Sequence, residues 1–373
     1  MDAGVIERAR SVVGLAAANA DEAERSRRLP AATVKALVDA ELMRLCVPPE
    51  YGGPGVDPMT LMAAVETVAK GDGAAAWCSM IASTTSSLSL MLPPETARTI
   101  FEPPSAVAGG VFAPNGTARL VDDGFRVSGR WQWGSGTQHC DWIVGGARCD
   151  DGTFRLCWFP AADVEFHDTW YTSGMRGTGS LDYSVDDLLV IPEFTTQPGA
   201  TRPVVDNPLA NFPMFALLAV GIAGVALGIA RHALDELVAL ATDKRPQYAS
   251  RSLAEQPYTQ IEVSRAEAQL RGGRALLLDE LASTWDVASA GGHIDVSRRV
   301  AVRLAANHAT ECAVTAVDSA YTLAGGTSVY SASVLQRCLR DVHTATQHVM
   351  VAPKLHATLG RSLLGLDIDT SML

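Results

Sequence analysis

Apolar and polar positions along the chain fall into three regimes. In residues 1–103 the apolar residues recur at helical spacing. "LPAATVKALVDAELMRL" sets Val34, Leu37, Val38, Leu42 and Leu45 near one face. "MTLMAAVETVAK" and "GAAAWCSMIASTTSSLSLML" continue the helical pattern, the second almost free of charge and so predicted to be buried. "VPPEYGGPGVDP" (47–58), ahead of both, is predicted as a Pro/Gly loop. Residues 104–205 switch to short runs rich in β-branched and aromatic residues: "SAVAGGVF", "GFRVSGRWQW", "DWIVGGARC", "TFRLCWF" and "SLDYSVDDLLV", separated by DG, NG and PA turns. From 206 to 373 helical spacing returns, with helices predicted over 213–243, 256–289, 296–323 and 331–365. The fold class is therefore α+β: an N-terminal helical domain, a central small β-domain and a C-terminal four-helix bundle.

One apolar run needs a decision. "MFALLAVGIAGVALGIA" (214–230) carries no charge and sits at the lower edge of bilayer-spanning length. It continues into "RHALDELVALATDK", where charges fall on one side of a helix. Gly221, Gly224 and Gly228 give it small faces for close helix contact. A buried bundle helix is the expectation, with no membrane partner. The length of 373 residues allows a large core, and the net charge of −11 with no Lys/Arg-rich run speaks against nucleic acid as a partner. No charged-then-apolar leader opens the chain. The seven cysteines are scattered and form no CxxC, so neither a zinc site nor a disulfide framework is indicated. Reduced thiols in a cytoplasmic protein are expected.

Candidate chemistry concentrates in "GRWQWGSGTQHCDW" (129–142), which holds three of the seven tryptophans. Strand alternation predicts Trp131, Trp133 and Ser135 on one face. An indole and a hydroxyl two residues apart could grip a planar polar heterocycle; aromatic packing between sheets explains the same pattern. His139–Cys140 lacks further partners at metal-ligand spacing, so no metal is expected. The acidic turns Asp122-Asp123-Gly124 and Asp150-Asp151-Gly152 lack the alternation of a calcium loop, and no GxGxxG follows a strand.

The order of domains, with four motifs in sequence, resembles the acyl-CoA dehydrogenase superfamily over nearly the whole chain. The motifs are "VPPEYGGPG", "GRWQWGSG", "SGMRGTGSLDYSVDDLLVIPEF" and "AGGTSVYSASVLQRCLRD". The resemblance implies a barrel-like β-domain, a homotetramer, and a flavin between the β-domain and the bundle. It sets Trp133 beside the flavin ring and Ser135 near flavin N5, with Arg176 and Ser180 shaping the site. Gly325 and Gly326 would approach the cofactor, and Arg251 and Gln260 would reach the cofactor of a neighbouring subunit.

One departure from the family decides the chemistry. The family's glutamate base lies eight residues after the aspartate of an arginine–aspartate pair. Here the pair is Arg340–Asp341, and eight residues on stands Val349, which cannot take a proton. Glu236 and Asp243 offer no obviously buried substitute. "GMRGTGS", the W-x-W-x-S-G pattern and the late helix with its histidine resemble instead the branch of reduced-flavin-dependent monooxygenases. That branch implies reduced flavin (FAD or FMN) from a separate reductase, molecular oxygen as co-substrate, a flavin C4a-hydroperoxide kept dry, and a small organic substrate. His348 suits the acid/base role because histidine titrates near neutral pH. On a continuous helix it would share a face with Asp341 and Thr344 and lie about 140° from His343, with Pro353 kinking or ending the helix nearby. The early-helix histidine of phenol hydroxylases is absent. Ser83, Thr84 and Ser86 stand there instead, as pocket lining or simple packing. Two alternatives stay open: a dehydrogenase with a relocated base, and a non-catalytic flavin- or CoA-binding subunit.

Overall fold

The computed structural model describes residues 1–373. Five helices open the chain: α1 (Ala3–Ser26), α2 (Ala31–Asp39), α3 (Pro58–Ala69), α4 (Gly73–Ser86) and α5 (Pro94–Phe101). Seven strands follow: β1 (Ala108–Val121), β2 (Gly124–Gly134), β3 (Trp142–Cys149), β4 (Phe154–Pro160), β5 (Glu165–His167), β6 (Leu181–Val190) and β7 (Thr195–Thr196). Five more helices complete it: α6 (Met214–Asp243), α7 (Pro257–Ser289), α8 (Val296–Ala324), α9 (Val334–Ala345) and α10 (Leu355–Leu363).

The strands form one sheet in the order β5-β6-β2-β1-β3-β4-β7, antiparallel except for the β1–β3 pair. Its core surrounds Trp131, stacked on Tyr183 at 5.3 Å between centroids. Glycine makes the room: a Cβ on Gly116, Gly129 or Gly145 would come within 2.5–2.9 Å of that indole. The other face packs Trp158 against Phe101 of α5.

The main core is shared by both helical regions, joining Val5 of α1 to Val351 near the chain's end. Helix α6 is its centre. By length and composition α6 could cross a membrane, yet its most apolar stretch is mostly buried among its neighbours. The expected small faces are used: Cβ atoms at Gly221, Gly224 and Gly228 would strike Met80 of α4 and the carbonyls of Met62 and Glu66 in α3.

Four expectations need correction. Asn115-Gly116 is no turn; it lies inside β1, where the pairing with β3 shifts register. The helix read over Leu29–Leu45 ends at Asp39, because Glu41 adopts φ +58° in the left-handed region. The segment 331–365 is two helices, α9 and α10, separated by turns. Strands β5 and β7 were not foreseen, being three and two residues long.

Candidate functional site

Strand β2 carries the first pieces of the site. Trp131 is fully buried in the sheet core, but Trp133 is 68% exposed and Ser135 is buried. The expected common face is therefore wrong. Three steps on β2, from Trp131 to Gly134, oppose two on β6, from Tyr183 to Leu181, so the strand bulges. Trp133 takes up the extra residue at φ +67°. A left-handed tryptophan is strained, and such strain gathers at functional sites. The bulge turns one indole outward and sends the next side chain, Ser135, inward.

Ser135 enters a chain of polar groups. Trp77 of α4 donates its indole N–H to Ser135 Oγ at 3.0 Å. Ser135 Oγ lies 2.7 Å from Ser180 Oγ, which lies 2.6 Å from Thr178 Oγ1. Thr178 Oγ1 donates to the Met175 carbonyl at 2.8 Å. Sequence reasoning missed Trp77 and Thr178. Both lie inside motifs it quoted, but only the fold brings α4 against the 172–180 loop.

That loop is fixed from below. Met175 (φ +51°) donates its N–H to Asp341 Oδ1 at 2.6 Å, and Arg340 donates to the Ser173 carbonyl at 2.5 Å. A Cβ on Gly174 would lie 2.1 Å from the Arg340 carbonyl, so only glycine lets the loop sit so close to α9. Burial pushes the Asp341 carboxyl up to about 7, and burial also raises Asp72, which caps α4 through Ala75 N–H. Arg337 and Arg340 pair with Glu24 at 3.7 and 2.6 Å, and Arg176 approaches it at 3.9 Å. Glu24, Asp72, Arg176, Arg337 and Asp341 surround a cavity of about 10 Å³, room for one water. Arg176 Nε is buried without a partner.

His348 also contacts Trp77. Its imidazole meets Trp77 edge-on, with centroids 5.8 Å apart and planes at 62°. It does not lie on a helix: α9 ends at Ala345, eight residues before Pro353, so the face shared with Asp341 and Thr344 does not exist. Nor does it titrate near neutral pH. Burial, and then the charge of Arg303, push it down to about 4. Met350 N–H donates to Nδ1 at 3.3 Å, which leaves the proton of the neutral ring on Nε2. His343 is surface-exposed and paired with Asp318 at 2.8 Å.

The remaining predicted residues lie apart from this chain of contacts. Gly325 (φ +56°) ends α8 and Gly326 follows; a Cβ on Gly326 would meet nothing within 4 Å. Lys244 holds this turn by donating to the Ala324 carbonyl and to Thr327 Oγ1. Arg251 is exposed, and Gln260 donates to the Ala254 carbonyl at 3.0 Å; neither is hydrogen-bonded to another predicted site residue. Ser83, Thr84 and Ser86 bond backbone carbonyls inside a buried helix, which is the packing alternative. Val349 is 43% exposed, and Glu236 and Asp243 are exposed. No carboxylate of α6 is buried to stand in for the missing glutamate.

Residues 5–92 match the family model "Acyl-CoA dehydrogenase, N-terminal domain", and residues 220–353 match "Acyl-CoA dehydrogenase, C-terminal domain". The chain is 31% identical to indole-3-acetate monooxygenase of Pseudomonas putida over 350 residues, covering 92% of this chain and 89% of that one. It is 26% identical to the flavin-dependent monooxygenase oxygenase subunit HsaA of Rhodococcus jostii, covering 95% and 96%. Among solved structures, XiaF from a Streptomyces species, in complex with FADH2 and glycerol, superposes with a TM-score of 0.94 at 26% identity, covering 99% and 97%. The chain thus belongs to the acyl-CoA dehydrogenase superfamily, in its branch of flavin-dependent monooxygenase oxygenase components.

Proposed function

We propose that this chain takes reduced flavin from a separate reductase and uses molecular oxygen to oxidise a small planar organic molecule. One observation carries the reading: Trp77 joins the two residues assigned to catalysis, bonding Ser135 through its N–H and meeting His348 at its ring. The surrounding groups fit a flavin. Trp133 offers an exposed indole face, Ser135 Oγ keeps one hydrogen-bonding position unspent, and Arg176 Nε is an orphaned donor suited to an anionic or carbonyl oxygen.

In this reading Trp133 walls the ring, Ser135 meets N5, and Arg176 and Ser180 shape the site. The Gly325–Gly326 turn approaches the cofactor, and Arg251 and Gln260 act on the cofactor of a neighbouring copy in a homotetramer. The bound flavin supplies the redox chemistry and activates oxygen. His348, neutral with its proton on Nε2, donates a hydrogen bond to substrate or oxygen; its burial makes it a weak base. The seven unpaired cysteines suit a reducing cytoplasm.

The test supplies the purified chain with chemically reduced FAD or FMN, isotopically heavy dioxygen and a panel of small aromatics. Indole-3-acetate comes first because it is the substrate named for the Pseudomonas relative. One heavy oxygen atom in a product is the expected result. Oxidation of an acyl-CoA with no oxygen incorporated overturns the reading and restores the dehydrogenase alternative.

A further inference from the structure

Near His348 a positive charge is buried with nothing of opposite sign to meet it. Arg303 of α8 is fully buried, and no aspartate or glutamate pairs with it; burial alone weakens its hold on its proton, down to about 10. Burying a cation in this way is costly, and an apolar side chain of similar size is often no worse for stability. What the guanidinium holds is specific. One arm donates to the Met350 carbonyl at 2.8 Å, and the other donates to the Met372 carbonyl in the C-terminal tail. Met350 is also the residue whose N–H holds His348 Nδ1, and Val351 N–H closes the turn on the His348 carbonyl at 3.0 Å. The residue that fixes the imidazole is itself fixed by Arg303.

The second arm brings in the tail. After α10, Arg361 donates twice to the Asp367 carbonyl, at 3.3 and 3.0 Å, and folds the chain back. Leu373 then packs into a small core with Leu359 of α10 and Val300, which lies one turn of α8 before Arg303. That seat carries the Met372 carbonyl to the guanidinium. We propose that Arg303 is a positioning residue for His348, and that the tail from Asp367 to Leu373 is the strap that locks Arg303 in place. The work done by His348 rests on the function proposed above; the clamp on its turn does not. Lysine cannot replace the clamp, because an ammonium is a point donor and the planar fork of arginine spans two carbonyls.

Acylation of histidines by diethyl pyrocarbonate, read residue by residue in a mass spectrometer, tests this on the full chain without flavin or turnover. His348 is partly exposed, and His167 in β5 serves as the reference. Arg303→Met should raise the His348-to-His167 rate ratio about fivefold near neutral pH, the scale of one hydrogen bond released. It also removes the charge that, after burial, holds His348 protonation down. The His348 reaction, flat between about pH 7 and pH 5 in the unaltered chain, should therefore slow toward the acid end in this variant. Arg303→Lys keeps the charge and loses the fork, so the ratio should rise with the pH profile still flat. Leu373→Ser loosens the tail and should raise the ratio at least about twofold, again with a flat profile. An unchanged ratio in Arg303→Met overturns the proposal; if that variant does not fold, Arg303→Lys decides. An unchanged ratio in Leu373→Ser overturns the strap. With reduced flavin and oxygen supplied, each loosened variant should also form less product per flavin oxidised, at an unchanged flavin dissociation constant. Faster acylation with undiminished product supports the clamp and counts against the part given to His348 in the proposed function.

Discussion

The bundle and the sheet use glycine for opposite ends. Along α6, Gly224 and Gly228 bring backbone to backbone, and Gly228 sits where a Cβ would lie 2.3 Å from the Glu66 carbonyl. In the sheet, Gly116, Gly129 and Gly145 clear space for one large ring, Trp131. The bundle is thus set by main-chain spacing and tolerates no added atom. The sheet is set by a single side chain and tolerates no removed one. The site lies where the two meet, with Ser135 and Ser180 from the sheet side, Trp77 from α4 and His348 from the turns that follow α9.

The largest test of this contrast removes the sheet's ring. Trp131→Ala should cost about 4 kcal/mol in denaturant unfolding, because the glycine-lined space cannot collapse around an alanine. A loss below about 1 kcal/mol would mean the ring is not what sets the sheet. Next comes the bundle: Gly228→Ala gains helix propensity of about 1 kcal/mol but must push α3 away. A net loss of about 2 kcal/mol is expected by the same measurement. No loss would show that α3 and α6 can move apart.

Two buried titrations at the junction sharpen the comparison further, with opposite signs. His348 is held down to about 4, below its ordinary 6.5. Between those values the unfolded chain takes up a proton that the folded chain refuses, so stability falls as pH drops from about 6.5 to about 4. Asp341 is held up to about 7, above its ordinary 3.8. Between those values the folded chain keeps a proton that the unfolded chain has lost, so stability falls as pH rises from about 4 to about 7. Each slope is at most about 1.4 kcal/mol per pH unit. Relative to wild type, His348→Gln should gain stability as the solution is acidified, and Asp341→Asn should gain as it is made more basic. Stability curves that stay parallel to wild type over pH 4 to 7 would refute both assignments. The smallest expected effect is Trp133→Ala, within about 0.5 kcal/mol, since that ring contributes little to the core. The same substitution should weaken flavin binding at least tenfold, so stability and binding separate at this one residue.

Much of this architecture can be read from the chain. The five long strands and the three long bundle helices follow from periodicity that tertiary packing does not override. What escapes is local backbone geometry. Nothing in "WQWGS" announces that Trp133 goes left-handed; its pairing partner on β6, some fifty residues later, forces the bulge. The end of α9 at Ala345 escapes too, because "TATQHVM" has no Gly or Pro to mark it. Trp77 was legible as a buried aromatic, but its partner hydroxyl comes from another domain. The histidine was found; its protonation was not, because burial and Arg303 are facts of the fold.

The largest hydrophobic cluster joins residues as far apart as Val5 and Val351. A ribosome makes α1 to α4 long before α6, so the faces of α3 and α4 that pack on α6 emerge without that partner. The sheet lies wholly between them in sequence and owns a core of its own. It can therefore form while the first hundred residues still wait. Synthesis should run through a stage in which the middle of the protein is folded and its beginning is not. During that stage α3 and α4 depend on chaperones or on transient mutual packing, and the polar chain behind Ser135 is complete only when Trp77 docks at the end.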